Sequence, residues 1–86
     1  MTARWRIKAW IPDIDHCILK RHYQHNCKLC VVARAIETAE RMADVHHRAS
    51  TAVKWSVEKI DGHLNGWVKV FDSEDRIGQW VKRHGH

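Results

Sequence analysis

The order of apolar and polar positions predicts strands in three parts of the chain. Residues 4–11 alternate between basic and apolar side chains, and Pro12 ends the run. Residues 51–60 alternate again, and residues 67–71 form another extended run. Period-two alternation is typical of a strand with one buried face. Two Asx-Gly pairs, at residues 61–62 and 65–66, tolerate the positive φ angles of turns, so the last two runs predict a β-hairpin.

The longest predicted element is a helix over residues 28–48. Its apolar residues recur at alternating spacings of three and four, so they form one stripe. The stripe consists of Leu29, Val32, Ile36, Ala39 and Ala43. On the polar side, Glu37 with Arg41 and Asp44 with Arg48 have the i,i+4 spacing of ion pairs. We expect the stripe to pack onto a sheet formed by the three extended runs.

Residues 13–26 have no clear period. Asp13 can cap a short helix with three apolar residues on one side, or residues 16–20 can be extended. The apolar residues in question are Ile14, Ile18 and Tyr23. We favour the short helix.

The C-terminal residues predict a second helix. Asp72 or Ser73 can cap it, and acidic residues follow in its first turn. Its apolar face would consist of Ile77, Trp80 and Val81, and Gly85 would end it. The predicted fold is therefore a single α+β domain over residues 1–86. It has a small sheet with a β-hairpin, packed by one long helix and a short C-terminal helix.

Size and charge narrow the class of protein. A chain of 86 residues forms one domain with a thin stability margin. No apolar run approaches the length of a membrane span or a signal peptide, and three cysteines without an export signal indicate reduced thiols in a cytoplasm. The net charge is +5, and residues 1–28 hold six basic against two acidic residues. Such a basic segment can meet phosphate or an acidic patch on another protein.

The most conspicuous chemical cluster is rich in His and Cys. It consists of His16, Cys17, His22, His25, Cys27 and Cys30. Cys27 and Cys30 have the spacing of half a zinc site, but no second pair of ligands follows, so we predict no metal site. A redox-active CxxC is a weaker alternative, because the usual βαβ setting is absent. No nucleophile–base pair or glycine-rich phosphate loop occurs, so we expect neither an enzyme nor a cofactor.

The tryptophans separate into core and interface candidates. Trp5, Trp55 and Trp80 fall on the apolar phase of their elements and are expected in the core. Trp10 shares a side with the basic residues of its strand, where it can anchor an interface or stack on a base. The predicted interface consists of Arg4, Arg6, Lys8 and Trp10. The alternative is that residues 13–26 cover Trp10.

The helix "VVARAIETAERMADVHHR" is followed by the strands "AVKWSVEKI" and "GWVKVFDSED" and a closing "RHGH". In this order residues 31–86 resemble the small head–tail joining and tail-completion proteins of tailed bacteriophages, especially those infecting actinobacteria. The resemblance implies a structural virion protein that assembles in the host cytoplasm as a ring in the neck or at the tail end. It implies neighbouring neck or tail proteins as partners, contact with genomic DNA, and no catalysis, cofactor or membrane.

Two function classes follow. In the first, the protein is an oligomeric component of the head–tail connector, and its N-terminal strand and hairpin offer unpaired edges to further copies. In the second, it is a small basic protein that binds nucleic acid or modulates the host, with zinc stabilisation as a variant of that hypothesis.

Overall fold

A computed structural model of the chain describes residues 3–14, 17–61 and 66–75 and shows an α+β fold. The elements are strand β1 (Ala3–Trp10), strand β2 (Ile18–His25), helix α1 (Lys28–Val45), a 3-10 turn (Ser50–Ala52), strand β3 (Lys54–Asp61) and strand β4 (Gly66–Asp72). The predicted strands at residues 4–11, 51–60 and 67–71 are thus confirmed within a few residues. No helix in the described part of the chain has the length and apolar character that a membrane crossing requires.

The four strands form one antiparallel sheet in the order β2-β1-β3-β4. β1 lies inside the sheet: it pairs with all of β2, and its residues from Trp5 to Trp10 also pair with β3. The expectation that the N-terminal strand offers an unpaired edge is therefore wrong. The outer strands are β2 and β4, and a β-bulge at Val57 and Glu58 interrupts the pairing of β3 with β4.

The hydrophobic core lies between α1 and one face of the sheet. The predicted alternation in β1 holds, because Trp5, Ile7 and Ala9 are almost completely buried. Trp55 and Val57 of β3 join them from the adjacent strand. The helix contributes the remaining large group of buried side chains, which are Val31, Val32, Ala35, Ile36, Ala39, Met42 and Ala43.

The helix differs from its prediction in one stripe residue and at its C-terminal end. It begins at Lys28 as predicted, and four of the five predicted stripe residues are buried, whereas Leu29 is 37% exposed. α1 ends at Val45 rather than Arg48, because the chain turns at His46 and His47 has a positive φ of 54°. Arg48 is consequently turned away from the helix and pairs with Asp13 at 2.9 Å.

The predicted i,i+4 ion pairs are also wrong. Arg48 bonds to Asp13 instead of Asp44, and Glu37 lies nearest Arg34, at 3.9 Å. Both sides of the Arg34–Glu37 pair are more than 60% exposed, so its contribution to stability is small.

The short helix favoured for residues 13–26 is wrong, because most of this segment is β2. β2 pairs with β1 over its whole length, from Ala3 opposite His25 to Trp10 opposite Ile18. An edge strand buries little, and here only Leu19 and Tyr23 pack partly against the core. The strand therefore carries no clear alternation of apolar and polar residues.

The predicted C-terminal helix falls mainly on residues 76–86, outside the described residues, and so does most of the turn between β3 and β4. The described part of its start has local capping bonds. The Asp72 carboxylate accepts from the Glu74 backbone N–H at 2.8 Å, and the Asp75 carboxylate accepts from that of Asp72 at 2.7 Å. Asp72 therefore fixes a turn, as a capping residue does.

Candidate interface on the polar face of the sheet

The register of the sheet places the four predicted interface residues together. Arg4, Arg6, Lys8 and Trp10 alternate with the buried residues of β1, so they lie on the face turned away from α1. We call this the polar face. The neighbouring strands add residues that lie opposite these positions, namely Ile18, Lys20, His22 and Gln24 from β2 and Lys54, Ser56 and Glu58 from β3.

Two of the four predicted interface residues are held by a carboxylate on the same face. Glu58 lies opposite Arg6 in the register and receives two hydrogen bonds from its guanidinium, at 3.0 and 2.9 Å. The Lys8 ammonium lies 3.3 Å from the same carboxylate. Hydrogen bonds from Arg6, with a further one from Lys8, hold the pKa of Glu58 below its usual value. Arg6 and Lys8 are thus bound within the domain.

An aromatic side chain from the outer strand completes this cluster. The Arg6 guanidinium lies 4.6 Å from the ring centroid of Trp67, which is within the range of a cation–π interaction. His22 meets the same indole edge-on, with 5.5 Å between the ring centroids. Trp67 of β4 therefore contacts residues of β1 and β2 across the polar face.

The other two predicted interface residues lie near the two ends of β1. Arg4 is exposed, and Trp10 is half-buried directly opposite Ile18, which is 59% exposed. Lys20 is exposed on the same face. Among the described residues, neither Arg4 nor Lys20 forms an ion pair. In the described part of the chain, the polar face thus combines two cations outside any ion pair with a partly exposed apolar pair.

A second group of cations lies on the other side of β2. Arg21 on this strand and Arg34 and Arg41 on α1 line a cleft of about 420 Å³, together with Tyr23 and His46. No carboxylate is among the described residues that line this cleft. β2 itself contains no acidic residue, so both sides of this edge of the sheet are basic.

The His and Cys residues do not converge on one point. His22 contacts Trp67, whereas the Cys17 sulfur lies 3.3 Å from Nε2 of His46 at the end of α1. His16 lies outside the described residues. Within residues 3–14, 17–61 and 66–75, no three His, Cys, Asp or Glu side chains are grouped as metal ligands are.

Cys27 and Cys30 interact with each other at the start of α1. Cys27 is the N-cap, and its sulfur accepts a hydrogen bond from the Cys30 backbone N–H at 3.4 Å. The Cys30 thiol also bonds to this sulfur, which lowers the pKa of Cys27 and raises the pKa of Cys30. The Cys27 N–H is bonded to Nδ1 of His25 at 2.9 Å.

No protein-family model matches the chain, and comparison with curated proteins and with solved structures finds no match. The candidate site therefore rests on the geometry of this chain. Sequence reasoning missed Glu58 and Trp67 as members of the polar face. The polar phase of β3 already contained Glu58, but the register against β1 was needed to place it beside Arg6.

Proposed function

We propose that the protein is an assembly subunit that joins further copies head to tail, and that the assembly is the ring of a tailed-bacteriophage neck or tail end. The two outer edges of the sheet are the observation that supports the proposed assembly. Neither β2 nor β4 pairs with a described strand on its outer side. Unpaired edges present rows of backbone donors and acceptors, which favour pairing with another chain.

The directions of the strands fit head-to-tail addition. All neighbouring strands in the order β2-β1-β3-β4 are antiparallel, so the two edge strands run in opposite directions. If β2 of one copy lies beside β4 of the next, the antiparallel alternation continues without reversing a subunit. Such a contact is heterologous, and repeated rotation between subunits closes it into a ring.

The apolar pair at one end of the polar face supplies a second contact. Ile18 is 59% exposed and Trp10 is half-buried, and they lie opposite each other beside the β2 edge. Tryptophan is over-represented among the residues that dominate interface energies. Since an 86-residue domain has a thin stability margin, contact with neighbours would also stabilise the fold.

The native mass of the purified protein tests this proposal. We expect light scattering at increasing concentration to give a multiple of the 10.1 kDa chain. Trp10→Ala and Ile18→Lys should shift the protein toward the monomer while leaving its far-UV spectrum unchanged. Val45→Lys is the matched control, because Val45 is 70% exposed and belongs to α1, on the other side of the sheet from Trp10 and Ile18.

A monomer at every concentration would contradict the assembly. An oligomer that survives both interface variants would contradict this interface. The location in a virion is tested separately, by probing purified phage particles for the protein with a specific antibody. If the protein is absent from the particles, its proposed location in a phage neck or tail is contradicted, whereas the proposed assembly of copies is not.

Binding of a nucleic-acid backbone is the second candidate function, because both sides of β2 are basic. The cations concerned are Arg4, Lys20, Arg21, Arg34 and Arg41. Affinity for a short DNA duplex should fall steeply with salt, and losing one phosphate contact reduces the slope of log K against log salt by about 0.9. Arg4→Gln and Lys20→Gln should each reduce this slope, whereas Lys28→Gln, at the start of α1, should leave it unchanged. Binding that is absent or independent of salt would contradict this candidate.

A further inference from the structure

Cys27 and Cys30 form a dithiol at the first turn of α1. Cys27 has extended backbone angles, φ −103° and ψ 116°, and occupies the N-cap of α1. Cys30 lies one turn later, and its backbone N–H points at the Cys27 sulfur. None of the three cysteines is in a disulfide. The chain therefore holds two neighbouring thiols in one turn of helix.

The surroundings of Cys27 favour its thiolate. Backbone N–H groups at a helix N-terminus stabilise a negative charge, and the first turn of α1 contains no acidic residue. Among the described residues, the ionisable groups near the dithiol include Tyr23 and His25 on β2 and Lys28, Arg34 and Glu37 on α1. Lys28 and Arg34 contribute positive charge and Glu37 contributes negative charge, whereas Nδ1 of His25 accepts a hydrogen bond from the Cys27 N–H. The lowered pKa of Cys27 and the raised pKa of Cys30 have the same origin, since the second thiol donates to the first.

The dithiol is also within reach of a reactant. Cys27 and Cys30 are both half-buried rather than enclosed. Cys30 lines a cleft of about 480 Å³ between β2 and α1, together with Tyr23, His25 and Arg34. A substituent on sulfur can therefore be accommodated beside the helix start.

We propose that Cys27 and Cys30 are a redox-active dithiol that undergoes thiol–disulfide exchange with a small disulfide such as oxidised glutathione. The Cys27 thiolate attacks one sulfur of the disulfide, forming a mixed disulfide and releasing one glutathione thiolate. Cys30 then loses its proton to solvent and attacks the Cys27 sulfur, releasing the second glutathione thiolate. The protein dithiol is oxidised by two electrons to the Cys27–Cys30 disulfide, and the glutathione disulfide is reduced to two thiols.

The chain offers a matched control thiol in Cys17, which is half-buried beside His46 at the C-terminal end of α1, the opposite end of the helix from Cys27. The test equilibrates the protein with reduced and oxidised glutathione over a wide range of ratios, quenches it with acid and maps the products by mass spectrometry. We expect wild-type protein and Cys17→Ser to form the intramolecular disulfide. Cys27→Ser and Cys30→Ser should lose it, and Cys30→Ser should accumulate glutathione on Cys27.

Serine is an effective N-cap, so Cys27→Ser preserves the cap of α1. A second measurement uses the wild-type protein, so it does not depend on whether the variants fold. Iodoacetamide at neutral pH should alkylate Cys27 several-fold faster than Cys17 and Cys30. A chain that stays fully reduced at every ratio would overturn the proposal. So would a disulfide that requires Cys17, or alkylation of Cys27 no faster than that of Cys17.

Discussion

The two faces of the sheet are built from the same strands but are held by different interactions. On the face toward α1, Trp5, Ile7 and Val57 are at most 1% exposed, and they are surrounded by other apolar side chains. On the polar face, Arg6 and Lys8 converge on Glu58. The free energy gained by burying apolar side chains does not depend on their exact orientation. The hydrogen bonds and ion pairs of the polar cluster, in contrast, form only at particular distances and angles between their atoms.

The difference predicts where the stability of the domain originates. Burying one large apolar side chain contributes about 1.5–3 kcal/mol. A partly buried ion pair gains little over well-packed apolar residues, although removing one partner is costly. The covered face should therefore supply most of the free energy of unfolding. The polar face should be sensitive to the loss of single groups.

The largest expected effect is the truncation of Ile7, which is completely buried in β1. Ile7→Ala leaves a cavity and should lower the free energy of unfolding by about 2–5 kcal/mol, measured by urea denaturation. Ile18→Ala is the matched control, compared at a concentration where both variants are monomeric, because the same side chain is 59% exposed on β2. If both variants lose equal stability, the two faces do not differ as described.

The next effect concerns Glu58, whose side chain is only 12% exposed. Glu58→Gln leaves Arg6 and Lys8 without their carboxylate, which should cost about 1–3 kcal/mol in urea denaturation. Glu37→Gln is the control, because Glu37 is 61% exposed and lies 3.9 Å from its partner. A cost at Glu58 no larger than at Glu37 would mean that the cluster is a surface feature.

The same residue predicts a pH dependence. The pKa of Glu58 is lowered in the folded protein, chiefly because Arg6 donates hydrogen bonds to the carboxylate. The ionised form is thus stabilised by folding. Its contribution is present above the unfolded-state pKa, near 4.5, and is lost as the pH falls through the folded-state value. Urea denaturation between neutral and acidic pH should show a smaller acid-side loss in Glu58→Gln than in the wild type.

The covered face could be predicted from the sequence because its signal is periodic. The alternation of β1 and the stripe of α1 both reflect burial against one surface, so each can be recognised without knowing its partner. β2 could not be recognised in this way. Its positions on the covered face are Leu19, Arg21, Tyr23 and His25, and Arg21 lines an open cleft instead of packing in the core.

The polar face could be predicted only in part, for a related reason. Its residues on β1 followed from alternation, but the contact of Arg6 with Glu58 joins residues 52 positions apart. That contact depends on the register between β1 and β3, and the contact of Arg6 with Trp67 depends on the bulged pairing of β3 with β4. Register is a property of the assembled sheet, and charge patterning along one strand carries no information about it.

A smaller effect is expected at Trp67, which contacts both Arg6 and His22. Trp67→Leu keeps an apolar side chain on β4 but removes the aromatic ring, so it should cost about 0.5–1 kcal/mol in urea denaturation. In the background of Arg6→Gln the same substitution should cost less, since the cation is already gone. Equal costs in the two backgrounds would show that the ring and the guanidinium are not coupled.

The smallest expected effect is that of a metal chelator, which should leave the melting temperature unchanged. The strands themselves separate the candidate ligands. His22 faces the polar side of β2, and His25 lies opposite Ala3 on the other side. Cys27 and Cys30 bond to each other, and Cys17 lies against His46 at the far end of α1. A structural zinc requires four converging ligands, and among the described residues no three are grouped in this way.

Elemental analysis of protein purified without chelator provides the control for the chelator experiment and should find no stoichiometric zinc. One zinc per chain, lost together with folding in Cys27→Ser, would contradict this prediction. It would also favour the zinc-stabilised form of the nucleic-acid hypothesis, because metal binding and folding would then be coupled.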